Sequence, residues 1–136
     1  MKTAILICAA ALSIVPASAQ TSAPSTGGMT IGSKAPAPLR FVTMRAGSIN
    51  SDDLIGAPVR NHQNEDVGEV SDIIIDDGRL VSGIVLSVGG FLGVGTSYVL
   101  VDPASVAVRR DGDDYKVVID ASRERLKSAP KFNYPD

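Results

Sequence analysis

The chain has 136 residues, of which 44% are hydrophobic and 21% charged, and its formal net charge is −2. These values describe one small globular domain with additional segments, and they exclude a multidomain enzyme and a fully disordered chain. The mild negative charge also argues against a nucleic-acid partner, which would require a basic face with stacking aromatic side chains.

The first 19 residues have the pattern of a secretory signal peptide. Lys2 supplies the positive start, residues 3–15 are mostly apolar, and Ala17-Ser18-Ala19 has the small residues of a cleavage site. The apolar run is shorter than the roughly 20 residues that cross a bilayer. We therefore expect an exported protein, periplasmic or secreted, with no transmembrane segment in its mature chain.

Removal of the signal peptide would also remove Cys8, the only cysteine, and leave a net charge of about −3. Because no disulfide can then form, burial of apolar surface must hold the fold together. We predict a flexible linker over residues 20–46, since residues 20–38 are mostly Ser, Thr, Ala, Gly and Pro. Residues 39–44 are a short apolar return that either docks as an extra strand or remains a recognition peptide. The folded domain is predicted over residues 47–136.

From Ser51 onward, short apolar runs are separated by turn residues, as in a β protein. Residues 51–56 predict a one-turn helix with Ser51 as its cap and two acidic residues in its first turn. A strand follows from Pro58 to near His62. A tight turn is expected next, because Asn64 tolerates the left-handed backbone conformation.

The next two strands are predicted at residues 67–75 and 80–88, joined by a turn at residues 76–78. In the first strand the apolar alternation slips. Either a bulge lies near Ser71 and Asp72, or residues 73–75 are buried on both faces. In the second strand Leu80, Ile84, Leu86 and Val88 share one parity, and Val81 and Val85 share the other.

Further strands are predicted at residues 98–101, 104–109 and 115–119, with a turn around Gly112. The period then changes to that of a helix from residue 121 to about 128, capped by Asp120, with Leu126 directed inward. Six short strands and one short C-terminal helix are too little for a sandwich with a large core. We therefore predict an all-β fold in which the sheet closes into a small β-barrel.

Three motifs occur in order along this region: Asp53-Leu54-Ile55-Gly56, Val67-Gly68-Glu69-Val70, and the glycine-rich run at residues 88–95. Their order resembles the PRC-barrel domain, the fold named for the H subunit of the bacterial photosynthetic reaction centre. The resemblance covers about residues 51–134. It implies a small barrel that serves as an assembly or docking module. Where many relatives read Val-Pro-Phe after the glycine-rich loop, this chain reads Val101-Asp102-Pro103-Ala104, which removes an aromatic contact.

The glycine-rich run lacks the Lys that a phosphate-binding loop requires and is interpreted as a loop joining two strands. Its apolar residues Phe91, Leu92 and Val94 form the predicted interaction surface. The alternative for Phe91 and Leu92, favoured about two to one, is that they plug one end of the barrel.

The remaining charged and ionisable groups are interpreted mainly as turn and surface residues. His62 is the only histidine and is interpreted as a partly exposed turn residue, and the acidic pairs near Gly78 and Gly112 as turn formers. The basic residues form either a strip for an anionic partner or an ordinary solvated surface, and the second interpretation is favoured; they are Arg109, Arg110, Arg123, Arg125 and Lys127. We predict no catalytic, cofactor-binding or metal-binding residues.

The sequence therefore indicates an exported, non-enzymatic module with an unidentified protein partner. Two alternatives remain open. One is a reaction-centre H-subunit-like component of a photosynthetic electron-transport complex, and the other is a small-ligand or metal-binding barrel. The oligomeric state is not predicted.

Overall fold

The structure, a computed structural model, describes residues 28–34, 37–89 and 95–135. Within these ranges the elements in chain order are α1 (Ser51–Leu54), β1 (Pro58–Arg60), β2 (Asp66–Asp76), β3 (Leu80–Val88), β4 (Ser97–Val101), β5 (Val106–Asp111), β6 (Asp114–Ile119) and α2 (Arg123–Lys127). The prediction of an all-β fold with about six short strands and a short C-terminal helix is confirmed. The predicted signal peptide, residues 1–19, lies outside the described residues.

The six strands form one sheet in the order β4-β3-β2-β1-β6-β5. Neighbouring strands are antiparallel except for β1 and β6, which are parallel. The two edge strands, β4 and β5, are separated in sequence only by residues 102–105. An extended chain of that length reaches at most about 18 Å, whereas the edges of a flat six-stranded sheet would lie about 24 Å apart. The sheet must therefore curl strongly.

Complete closure of this curled sheet, which the sequence analysis predicted, is not seen among the described residues, since β4 and β5 form no ladder. The chain leaves β4 at Asp102, whose side-chain oxygen accepts a hydrogen bond from the Ala104 N–H at 2.8 Å. A 3-10 turn follows at Pro103–Ser105. Because proline has no N–H to continue a ladder, the two strands separate at this seam.

The inner face of the curled sheet holds the core. Its centre is a set of side chains that are almost fully buried, with α2 contributing one of them; they are Ala57, Val59, Val67, Val70, Ile84, Leu86, Val88, Val99, Val117, Ile119 and Leu126. From the edge strand β5, Val106 and Val108 pack against this set and are partly buried. The core therefore extends across the whole sheet to both sides of the seam.

Two bulges interrupt the pairing of β2 with β3. Val70 pairs with Leu86 and Asp72 pairs with Val85, so Ser71 is an extra residue in β2. This confirms the bulge predicted near Ser71 and Asp72. At the second irregularity Ile74 pairs with Gly83, while Ile75 pairs with Val81, which makes Ser82 an extra residue in β3.

The Ser82 bulge corrects the predicted parity of β3. An uninterrupted strand would direct Val81 and Ile84 to opposite faces, but the extra residue brings both to the same cleft. Leu80, which was predicted to share the inward parity of Ile84, is 67% exposed. Val85 lies on the outer face and is nevertheless fully buried.

The predicted turn residues take the expected backbone conformations. Asn64 has a φ of 63°, and Asp77 and Gly78 have φ values of 49° and 65°, the consecutive positive pair of a type I′ turn. Gly112 has a φ of 68° at the first central position of the β5–β6 hairpin, as in a type II′ turn. These residues therefore set the hairpin geometry.

Both predicted helix caps are displaced by one or two residues. Asn50, not Ser51, precedes α1, and its amide donates to the Asp53 carboxylate at 3.0 Å. Ser122, not Asp120, caps α2 by accepting a hydrogen bond from the Arg125 N–H at 3.2 Å. In each case the chain is still extended at the residue before the helix, so the cap lies where the helix begins.

The described residues before α1, 28–34 and 37–50, lie on the surface. Residues 39–44 form no strand, and the side chain of Phe41 is 93% exposed. Further upstream, the Met29 N–H donates to the Gly78 carbonyl at 2.6 Å, next to the β2–β3 turn. None of the helices in the described ranges has the length and apolar character that crossing a bilayer requires.

Candidate functional site

The interaction surface predicted from the sequence, Phe91, Leu92 and Val94, lies outside the described residues. The ends of its loop are described. Gly89 and Gly95 have φ values of 80° and 77°, and Val88 pairs with Ser97. The prediction that glycine permits this loop between two strands is confirmed at both ends.

A different apolar surface lies between α1 and the turn end of the β2–β3 hairpin. We call it the apolar groove. It is an open cleft of about 400 Å³, lined by Ile49, Asn50, Ser51, Leu54, Ile55, Asp72, Ile73, Ile75, Val81 and Ile84. Seven of these ten residues have large aliphatic side chains.

The groove is built by the two bulges and by the end of α1. The cross-strand pairs Ile73–Ile84 and Ile75–Val81 form its floor. On the α1 side, the chain is tied to β2 by two backbone hydrogen bonds, Gly56 N–H to Val70 at 2.8 Å and Val70 N–H to Ala57 at 3.0 Å. Gly56 allows the chain to turn between α1 and β1, because its φ of 85° is accessible to glycine. The groove walls are therefore part of the folded sheet.

Four of the aliphatic side chains that line the groove are much more exposed than those of the core, whereas Ile84 at the floor of the groove belongs to the core. Ile49, Ile55, Ile75 and Val81 are 40–47% exposed, whereas the core residues are at most 6% exposed. Isolated exposed aliphatic residues are common, but a contiguous set in a concave surface is typical of an interaction site. The groove therefore offers apolar contact to another molecule.

The only ionisable residue in the groove lining is acidic. Asp72 is half-buried, it pairs with the outer-face residue Val85, and its Oδ1 accepts a hydrogen bond from the Ile73 N–H at 2.7 Å. Asp76, Asp77 and Arg79 follow at the hairpin turn, and Asp52 lies on α1, so the charge near the groove is net negative. An apolar occupant with positive charges at its ends would complement this surface.

On another side of α1 lies a larger, charged cleft of about 720 Å³. Its carboxylates come from α1 and from the β5–β6 turn, and they are Asp52, Asp53, Asp111, Asp113 and Asp114. The Lys116 ammonium lies 2.6 Å from Asp111 Oδ2, and this hydrogen bond and charge lower the pKa of Asp111. Across the described ranges, no group of three His, Cys, Asp or Glu residues is arranged to hold a metal ion.

His62 is an exposed turn residue, as predicted. Its side chain is 61% exposed, and Nε2 lies 3.8 Å from the Asp120 carboxylate. The neighbouring Asn61 was missed by the sequence analysis. It is buried, its amide donates to Glu65 at 2.6 Å, and its Oδ1 accepts from the Gln63 and Glu65 N–H groups. Asn61 therefore organises the turn between β1 and β2.

The basic residues fall into different clefts. Arg109 lines a small cleft with His62 and Lys116, while Arg123 and Lys127 line another with Glu69. The Arg123 guanidinium also donates to the Asp66 carbonyl, which ties α2 to the start of β2. The arrangement favours the predicted solvated surface over a continuous basic strip.

The apolar groove is not evident from the sequence, although all of its lining residues can be read there. Alternation predicts which side chains share a face of a strand, but exposure depends on what covers that face. The nearest signal was the slip in alternation at residues 70–75, which marks the bulged strand that forms the groove floor.

Comparison with known protein families gives a match over most of the folded region. The sequence profile of the PRC-barrel domain matches residues 46–126. This range runs from just before α1 to Leu126 of α2, and it includes every residue that lines the apolar groove. No curated protein matches the chain.

Proposed function

The chain belongs to the PRC-barrel family, and on this premise we propose that it is an exported, non-enzymatic module that binds a protein segment in the apolar groove. Family membership supplies a small barrel module and does not by itself supply a chemistry. The proposal therefore depends on the groove. Its exposed aliphatic lining is the observation that carries it.

The shape and rigidity of the groove suit a peptide partner. Its floor is a hydrogen-bonded pair of strands, and its wall is tied to β2 through Gly56 and Val70. A surface that is already formed loses little conformational entropy on binding. Alternating apolar side chains of an extended segment could enter the cleft, while its backbone remains near the polar rim.

Export is proposed from the N-terminal sequence. The positive start, the apolar run and the Ala17-Ser18-Ala19 site support cleavage before Gln20. No cysteine follows Cys8, so the folded domain needs no oxidising step and depends on its apolar core. Sequencing the N-terminus of the protein recovered from the periplasm or medium tests this part. An uncleaved chain confined to the cytosol would contradict it.

A photo-crosslinking residue tests the binding site. It is placed at Val81 in the groove and, as a matched control, at Leu100 on the outer face of the sheet. The two side chains are 44% and 47% exposed. After irradiation of cells that export the protein, we expect a discrete crosslinked product from position 81 only. Equal labelling from both positions, or none from position 81, would overturn the proposal.

A further inference from the structure

We propose that the occupant of the apolar groove is residues 39–45 of a second copy of this chain, so that two copies exchange these segments. We call residues 39–45 the arm. The inference rests on the proposed function, because it names the partner of the same groove.

The arm is an unusually exposed apolar segment. Leu39, Phe41, Val42 and Met44 are 81%, 93%, 87% and 59% exposed. Four large apolar side chains within six residues would ordinarily be covered. Within the described part of the chain, the arm and the groove are therefore two apolar surfaces that each lack a cover.

The charges of the two surfaces are complementary. The arm includes Arg40 and Arg45, and residues 20–50 contain no acidic residue. Asp72 lines the groove, and the hairpin turn at its end carries Asp76, Asp77 and Arg79, so this surface is net negative. Opposite charges beside an apolar contact favour this pairing and its orientation.

The path of the chain favours insertion of the arm into the groove of a second copy rather than into the groove of its own chain. Ile49, only four residues after Arg45, already lines the groove. Between them a tight turn bonds the Ser48 N–H to the Arg45 carbonyl at 3.1 Å, with Gly47 at a φ of 85°. The arm leaves this turn with Phe41 almost fully exposed, and so it is presented to another molecule.

Exchange between two copies also satisfies both surfaces at once. Each copy gives one arm and receives one, so the contact is the same in both directions and closes at two chains. A dimer formed in this way leaves neither an arm nor a groove uncovered.

Sedimentation of the purified full exported chain over a range of concentrations tests the proposal. We expect a dimer that dissociates on dilution. Phe41→Asp in the arm and Ile75→Asp in the groove should each weaken the dimer by at least about 30-fold, as expected for a central apolar contact. Leu100→Asp is the control, because Leu100 is as exposed as Ile75 and lies on the opposite face.

Mixing the two variants gives the decisive measurement. Neither variant alone has both an intact arm and an intact groove, but a mixed pair retains one complete arm–groove contact. We expect the mixture of the two variants to dimerise more tightly than either variant does alone. Circular dichroism verifies folding, and Val81→Asp replaces Ile75→Asp if that variant unfolds.

Three results would overturn the exchange. They are a wild-type monomer at all concentrations, a dimer that Phe41→Asp leaves intact, and a mixture that stays monomeric. If position 81 then crosslinks to a different protein, the groove still binds a protein and only the identity of the partner is wrong. If it crosslinks to nothing, the proposed function fails as well.

Discussion

The two ends of the β2–β3 hairpin differ in exposure although each has an aliphatic cross-strand pair. At one end Val70 pairs with Leu86, and the two are 1% and 0% exposed. At the other end Ile75 pairs with Val81, and they are 47% and 44% exposed. All four side chains are aliphatic. What differs is the cover, because the first pair lies under Leu126 and the rest of the core set, while the second pair meets only the open cleft beside α1.

The comparison separates two roles for the same residue type. Covered aliphatic side chains supply the free energy of folding, at about 1.5–3 kcal/mol for each large side chain that is fully buried. Uncovered ones contribute less to folding and leave apolar surface that a partner can bury. The covered end of the hairpin should therefore respond strongly to mutation, and the open end weakly.

Replacing one side chain at each end of the hairpin by alanine tests this difference most directly. We expect Leu86→Ala to reduce the free energy of unfolding by about 2–5 kcal/mol, since it leaves a cavity in the core. Val81→Ala should reduce it by at most about 1 kcal/mol. Denaturant unfolding followed by circular dichroism measures both, and equal losses would show that the groove is covered in the monomer.

Two glycines of the hairpin differ in what an added Cβ would contact. A Cβ at Gly68 would collide with the backbone carbonyl of Ser87 on β3, and a backbone cannot move without disturbing the ladder. We expect Gly68→Ala to cost about 1–3 kcal/mol of unfolding free energy.

The matched control is Gly83→Ala. A Cβ there meets the end of the Leu100 side chain, which is half-exposed and can rotate away. We expect a change below about 1 kcal/mol. Thermal or denaturant unfolding compares the two variants. If both are equally destabilised, the close approach of β2 to β3 is not the reason that position 68 excludes a side chain.

The smallest effect concerns the helix that covers the buried end. Ser122→Ala removes the cap of α2 and should lower the free energy of unfolding by about 1 kcal/mol. Asp120→Ala is the control, since the Asp120 side chain is 93% exposed and lies 3.8 Å from His62. Its effect should be within about 0.5 kcal/mol. A larger loss from Asp120→Ala would restore the cap predicted from the sequence.

Much of the fold was predictable because its signals are local. Asn64 was placed in a turn by its tolerance of positive φ, and Asp77 and Gly112 by the Asp- and Gly-rich turn sequences around them. A bulge near Ser71 was one of the two interpretations of the slip in alternation. Proline at position 103 correctly ended a strand. The helix caps were misplaced by one or two residues, because several polar residues precede each helix and their identity alone does not show at which one the helix begins.

The candidate site was not predictable in the same way. Phe91, Leu92 and Val94 were chosen because they are apolar within a loop, and that prediction stays untested. The apolar groove combines Ile49, Ile55 and Val81, which lie up to 32 residues apart. Only the pairing of β2 with β3 and the attachment of α1 to β2 bring them together.

The class of fold follows from the sequence alone, because the alternation of apolar residues and the backbone preferences of glycine and proline are local and do not depend on the rest of the chain. Three features depend on tertiary structure: β1 pairs in parallel with β6, the described strands β4 and β5 form no ladder, and one of the two aliphatic ends of the β2–β3 hairpin is open. Burial is a property of what surrounds a side chain. An aliphatic pair at each end of a hairpin does not by itself encode which end the rest of the chain covers.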